Sequence, residues 1–235
     1  MKLTRAAGRV CMRLGGWYPA RVSPRSSAAR AALVILLLSA LGSPVSRVWG
    51  RGAREGAFAP DPGAPGAPAL SGGRWSAETA AYVAELELVD EIARREFVKR
   101  RTGSPADPFA SLPGQSPGLL TFLLKVENRG RGDLVFEPDA VRLLGRAKEV
   151  LYPIGWPGIQ SAYDLLGREV PPVQALARGL LLDGQKVVRP GGVVEGILMF
   201  HLPPPGTKSF RLEITLTLPD GSSAGLGAPY QFVRK

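Results

Sequence analysis

Apolar and polar residues alternate with a period of two through much of this chain, and that pattern restricts it to antiparallel β architecture. In Tyr82-Val83-Ala84-Glu85-Leu86-Glu87-Leu88, positions 82, 84, 86 and 88 share one face while both glutamates share the other. Leu120, Phe122, Leu124 and Val126 repeat the arrangement against Thr121, Leu123, Lys125 and Glu127. Successive side chains of a strand point to opposite faces, so each stretch reads as a strand with one side turned to a core. Further strands are predicted at 133–137, 140–144, 149–154, 180–188, 193–202, 210–218 and 230–234. Turns separate them: residues 128–132, and Pro219-Asp220-Gly221, where proline presets φ and glycine takes the positive φ. Many short strands punctuated in this way predict a mainly β chain, an antiparallel sandwich.

Helical periodicity is confined to short stretches. Asp90 is placed to cap a helix over 91–101, with acids in its first turn, bases in its last and Gly103 beyond its end. A single helix over 77–101 is the competing reading. The interval 155–179, rich in Trp, Tyr and Pro, predicts one or two further short helices at 161–166 and 172–177.

The net charge of +10 belongs to the first 54 residues, which hold ten of the chain's 30 Lys and Arg and no Asp or Glu. The remainder balances 20 bases against 20 acids. The basic residues of the leader flank Ala31-Ala32-Leu33-Val34-Ile35-Leu36-Leu37-Leu38-Ser39-Ala40-Leu41, the length of a signal-peptide core, whereas a membrane span needs roughly 20 apolar residues. Residues 1–42 therefore read as a signal peptide, with retention of 31–41 as an N-terminal anchor the alternative. Ala40 and Gly42 form an Ala-x-Gly cleavage site that leaves Ser43 as the new N-terminus. An exported chain, periplasmic or held at the cell envelope near the membrane, is expected. Cys11, the one cysteine, precedes the apolar core, so no lipid-modified cysteine and no disulfide framework is expected. Residues 43–74 collapse to Gly, Ala and Pro and read as a disordered linker, leaving 75–235 as the folded domain.

The stretches Leu124-Lys125-Val126-Glu127-Asn128-Arg129-Gly130, Leu134-Val135-Phe136-Glu137-Pro138 and Val188-Arg189-Pro190-Gly191-Gly192-Val193-Val194-Glu195-Gly196-Ile197-Leu198-Met199-Phe200 resemble immunoglobulin-like domains of unknown function in bacterial exported and lipid-anchored proteins. The resemblance covers residues 119–233. It implies an immunoglobulin-like sandwich in which the first stretch is a core strand ending in an Asn/Gly turn. The Pro-Gly turn would then lead into a strand packed on the opposite sheet. It carries no catalytic residues, and the chain departs from the lipid-anchored members by lacking their cysteine.

Candidate chemistry is sparse. His201 is the only histidine, two residues after Met199 on a predicted strand, a weak copper-ligand pair because such a site needs three or four ligands. With one histidine and no Gly-x-Ser-x-Gly elbow, serine- and cysteine-nucleophile enzymes lack their parts. Paired carboxylates, Glu85 with Glu87 or Asp133 with Glu137, leave a hydrolase formally open. Arg131-Gly132-Asp133 reads as an ordinary turn. Arg94, Arg95, Lys99, Arg100 and Arg101 form a basic cluster able to contact a membrane surface, although a solvated helix end with bases suited to its dipole is the plainer explanation. Tyr152, Trp156 and Tyr163 concentrate aromatics in a long connection, as a partner-binding surface or as a plug for the core. A body without net positive charge or interleaved aromatics excludes nucleic acid. The sequence thus predicts a non-enzymatic, extracytoplasmic interaction module, without cofactor, whose partner is another envelope protein. A small-ligand or copper carrier and a carboxylate hydrolase are the alternatives.

Overall fold

A computed structural model of the chain describes residues 56–110, 118–145 and 149–234. The leader, with its signal or anchor segment, and residues 43–55 of the expected linker lie outside the described residues. What is described is mainly β: two antiparallel sheets packed face to face, with a few short helices against the outer side of one of them.

The first sheet runs β1 (Gly56–Pro60), β11 (Ser223–Arg234), β10 (Ser209–Thr217), β6 (Leu134–Gly145), β7 (Val150–Leu151), with β8 (Lys186–Val188) pairing the start of β6. The second runs β2 (Ala69–Ser71), β3 (Arg74–Glu78), β4 (Tyr82–Val89), β5 (Leu119–Asn128), β9 (Val193–His201). Period-two alternation delivers one face of each sheet to the interior: Phe136, Leu143, Leu212, Ile214 and Tyr230 from the first, Trp75, Leu86, Phe122, Leu124 and Phe200 from the second. Phe122 meets Tyr230 edge-on across the interface at 5.4 Å between ring centres.

Residues 56–74 are no tether. Phe58 is the reason: it packs on Phe210 at 4.8 Å and Phe232 at 5.4 Å, and this anchor lays β1 along β11. Pro60 ends that edge strand, where a missing N–H costs no ladder bond. Pro62, Pro65 and Pro68 then carry the chain to the second sheet, where Arg211 donates from β10 to the Pro65 and Gly66 carbonyls at 3.3 and 3.4 Å. The prolines make a connection rather than disorder.

Helix α1 (Glu91–Thr102) follows β4 as the capping residues require. Asp90 accepts from the Ala93 N–H at 2.8 Å, and Gly103, at φ 73°, donates to the Lys99 carbonyl. The single helix over 77–101 is excluded, because Arg74–Glu78 and Tyr82–Val89 pair as neighbouring strands. The predicted strands 133–137 and 140–144 are one strand, β6, irregular between Phe136 and Val141 at its pairing with β10. Asn128 closes the far end of β5. Its Nδ2 donates to Val188 O at 2.7 Å and Gly132 O at 2.8 Å, and its Oδ1 accepts from Gly130 N at 2.9 Å. The strand after the Pro-Gly turn, β9, does not lie on the opposite sheet: it pairs directly with β5, from Leu119 opposite His201 to Glu127 opposite Val193.

Between β7 and β9 the chain crosses from one sheet to the other and back. It forms helix α2 (Trp156–Leu165), α3 (Pro172–Ala175) and a 3-10 turn (Leu176–Gly179). Ile154 donates to Met199 O on the way out, and Leu182 to Ile197 O on the way back. Where 149–154 and 180–188 were expected to be strands, only Val150–Leu151, Lys186–Val188 and a single parallel bridge, Leu181 to Ile197, form.

Candidate functional site

Outward-facing positions of the second sheet divide into two territories. Around the start of β5 and the end of β9 they are apolar, and a helical layer covers them: Ile197 and Met199 are buried with Phe97 and Val98 of α1, Phe109, Trp156, Ile159 and Tyr163 of α2, and Ala177. On β3 and β4, and at Lys125 and Glu195 of β5 and β9, they are charged and open. Sequence reasoning reached the second territory through Glu85 and Glu87 but missed the first. The signal was present: Leu119-Leu120-Thr121-Phe122-Leu123-Leu124 and Gly196-Ile197-Leu198-Met199-Phe200 are apolar on both faces, the mark of strands covered on both sides.

The covering layer corrects several expectations. Trp156 and Tyr163, read as a partner-binding surface or as a plug, are 8% and 5% exposed and serve as packing, on the outer face of the second sheet, while Tyr152 alone of the three presents its ring, at 58%. Their burial is imposed by the apolar outer face of β9, which offers more area than solvent would leave bare. Arg94, read as a membrane contact, is buried too. Its Nε and Nη2 donate to Asp107 Oδ2 at 2.9 and 2.8 Å and its Nη1 to Thr121 Oγ1 at 3.3 Å, tying α1 to the segment after it and to β5. Arg95, Lys99, Arg100 and Arg101 remain exposed, Arg95 paired along the helix with Glu91 at 2.7 Å. Met199 is wholly buried and His201 exposed, so the suggested copper pair does not converge. Among the described residues no group of three or more His, Cys, Asp or Glu is set to hold a metal ion.

In the charged territory a groove of about 280 Å³ lies between the C-terminal end of α1 and the sheet, lined by Arg74, Glu85, Leu86, Glu87, Arg100, Leu123, Lys125 and Glu195. Strand register builds it. Arg74 stands opposite Glu87, and Glu85, Lys125 and Glu195 stand in one row across β4, β5 and β9. Arg74 Nε closes on Glu87 Oε2 at 2.7 Å, and this hydrogen bond, with the charge of Glu87, raises the Arg74 pKa above its ordinary value. Lys125 and Glu85 stay 3.6 Å apart, and Arg101 reaches Glu195 from the rim at 3.7 Å. The Arg100 guanidinium lies 5.5 Å from the centre of the Phe97 ring. The paired carboxylates of the hydrolase alternative therefore stand among cations. Of the other pair, Glu137 accepts from Gln185 at 3.0 Å while Asp133 is exposed.

No helix among the described residues is long and apolar enough to cross a membrane. No family model matches the chain, and no curated protein is similar enough to match it. Among solved structures, the yjhA protein from Bacillus subtilis aligns over 64% of this chain and 93% of its own, at 10% identity and a TM-score of 0.36. A functionally unknown protein from Listeria monocytogenes EGD-e aligns over 67% of this chain and 81% of its own, at 14% identity and a TM-score of 0.35.

Proposed function

We propose that this chain is an exported, immunoglobulin-like sandwich that works without catalysis, as an interaction module meeting another envelope protein beside a bacterial membrane. The observation that carries the reading is the free face of α1. Ile92 is 74% exposed there, surrounded at helical spacing by Arg95, Glu96 and Lys99. A large aliphatic side chain left bare within a charged rim has the anatomy of a protein contact, an apolar anchor with polar surroundings. The acid-free leader and its apolar core support export. The same basic face is suited to anionic head groups, which supports work close to a membrane.

Fractionation of the native host tests this, with the intact mass of the chain and size-exclusion of the envelope extract. The reading expects the chain in the envelope, eluting in an assembly larger than itself, and expects Ile92→Asp to release it as a free chain. A full-length chain in the cytoplasm, or an Ile92→Asp variant that elutes unchanged, overturns it.

A further inference from the structure

The charges lining the groove are equal in number, three cations and three carboxylates, yet they are unequally satisfied. Arg74 and Glu87 close on one another at 2.7 Å through one hydrogen bond and offset each other's charge. Lys125 and Glu85 at 3.6 Å, and Arg101 and Glu195 at 3.7 Å, are too far apart for hydrogen bonds. Arg100 has no carboxylate partner among the described residues; it is held by Phe97, and a guanidinium set over a ring keeps its in-plane N–H fork free for an oxyanion. Two donors, Arg100 and Lys125, and two acceptors, Glu85 and Glu195, thus face one opening with unused hydrogen-bonding capacity.

That balance selects a ligand. A simple anion gains from the donors but is repelled by the carboxylates, and a simple cation meets the reverse. A small dipolar ion gains from both sets at once. The volume, just under the 300 Å³ or so at which drug-sized pockets begin, suits a ligand of few atoms. We propose that the groove binds a small zwitterion, its oxyanion on Arg100 and Lys125 and its ammonium on Glu195, the carboxylate that Lys125 separates from Glu85 in the cross-strand row. The shared chemistry is an ammonium and a carboxylate or phosphate a few bonds apart. A free amino acid or phosphoethanolamine carries it, as does the phosphoethanolamine head group of a lipid. This goes beyond the proposed function and does not rest on it, because a ligand here needs neither export nor a protein partner.

The test is calorimetric titration of the full chain with glycine and with phosphoethanolamine, against sodium phosphate, sodium acetate and ethylammonium chloride at matched ionic strength. Saturable binding of at least one zwitterion is expected, with none for the separate ions. Arg100→Ala and Glu195→Gln are each expected to weaken it about tenfold or more, the loss of one charged hydrogen bond, while Arg142→Ala on the other sheet leaves it unchanged. Sedimentation with phosphatidylethanolamine vesicles, competed by free phosphoethanolamine, identifies the lipid as source; binding of the free compounds without vesicle binding identifies the soluble ligand. The proposal is overturned if no zwitterion binds, if phosphate or acetate alone binds as well, or if binding survives both Arg100→Ala and Glu195→Gln. Any of these leaves the Ile92→Asp experiment, and the reading it tests, untouched.

Discussion

Replacing Asn128 with alanine should be among the most damaging single changes to this fold, although it removes no apolar surface. Asn128 is fully buried and makes three side-chain hydrogen bonds: to Val188 O at 2.7 Å, to Gly132 O at 2.8 Å, and from Gly130 N at 2.9 Å. Its backbone adds two more, donating to Gly192 O and accepting from Gly191 N. One residue therefore joins the end of β5, the turn before β6, the end of β8 and the turn before β9. Alanine strands the Val188 carbonyl away from water, at about 1–3 kcal/mol, and loses two bonds nearer the surface at about 0.5–1.5 kcal/mol each. The sum is about 4 kcal/mol, which for a domain of this size lowers Tm by about 8–16 °C. Asn128→Asp keeps the acceptor but turns an oxygen toward two carbonyls, so it should be no better than alanine at neutral pH. Urea and thermal unfolding of both variants provide the check. An Asn128→Ala protein within about 0.5 kcal/mol of the parent, the range of ordinary surface changes, would refute the reasoning.

Other residues make further tests. A Cβ on Gly196 would stand 2.7 Å from Leu182 Cγ and 2.8 Å from Leu180 O, so Gly196→Ala should push the returning crossover off β9 at a cost of about 1–3 kcal/mol, seen as faster amide exchange at Leu182. Arg94→Ala leaves the Asp107 carboxylate, 1% exposed, without its counter-ion and should cost about 3–5 kcal/mol in urea unfolding, while replacing both partners by apolar residues should restore much of that loss. Tyr230 is buried with its hydroxyl facing Trp75 but in no well-aligned hydrogen bond, and burial raises its pKa far above the usual tyrosine value, outweighing the Trp75 contact that would lower it. Below about pH 10 the phenol is protonated whether folded or not; above it only the unfolded chain ionises, so stability falls by about 1.4 kcal/mol per pH unit. Tyr230→Phe should be neutral or stabilising at pH 7 and should flatten most of that slope in urea midpoints taken from pH 8 to 11, leaving the smaller part due to Tyr82, whose pKa burial also raises.

What the sequence disclosed follows from how local each cause was. β4, β5 and β10 were legible because period-two alternation is written into consecutive residues, β9 because an apolar run follows a Pro-Gly turn, and α1 because Asp90 and Gly103 mark its ends. The failures were failures of tertiary context. Composition called 56–74 a linker, but one aromatic, Phe58, finds Phe210 and Phe232 more than 150 positions away and converts an Ala/Pro run into an edge strand. Residues 180–188 have strand composition, yet only Leu181 bridges and Lys186–Val188 pairs, because the chain spends the interval crossing between sheets. Trp156 and Tyr163 stood between a recognition surface and a plug, since aromatics in loops serve as either; the two-sided apolarity of β9 was the clue that decides for packing. The groove was half visible. Glu85 and Glu87 were seen as a pair, but the partners that set its chemistry, Lys125 and Glu195, arrive by register from other strands, and Arg100 from a helix.

The account rests on the face of α1 meeting a partner outside the cytoplasm. Site-specific photocrosslinking in living cells of the native host measures this, with the reactive group placed at Ile92 or Lys99 and, as control, at Arg142 on the outer side of the first sheet. The account predicts a discrete adduct from positions 92 and 99, recovered in the envelope fraction, and none from 142. Adducts recovered from the cytoplasm, or the same adducts from all three positions, would contradict it.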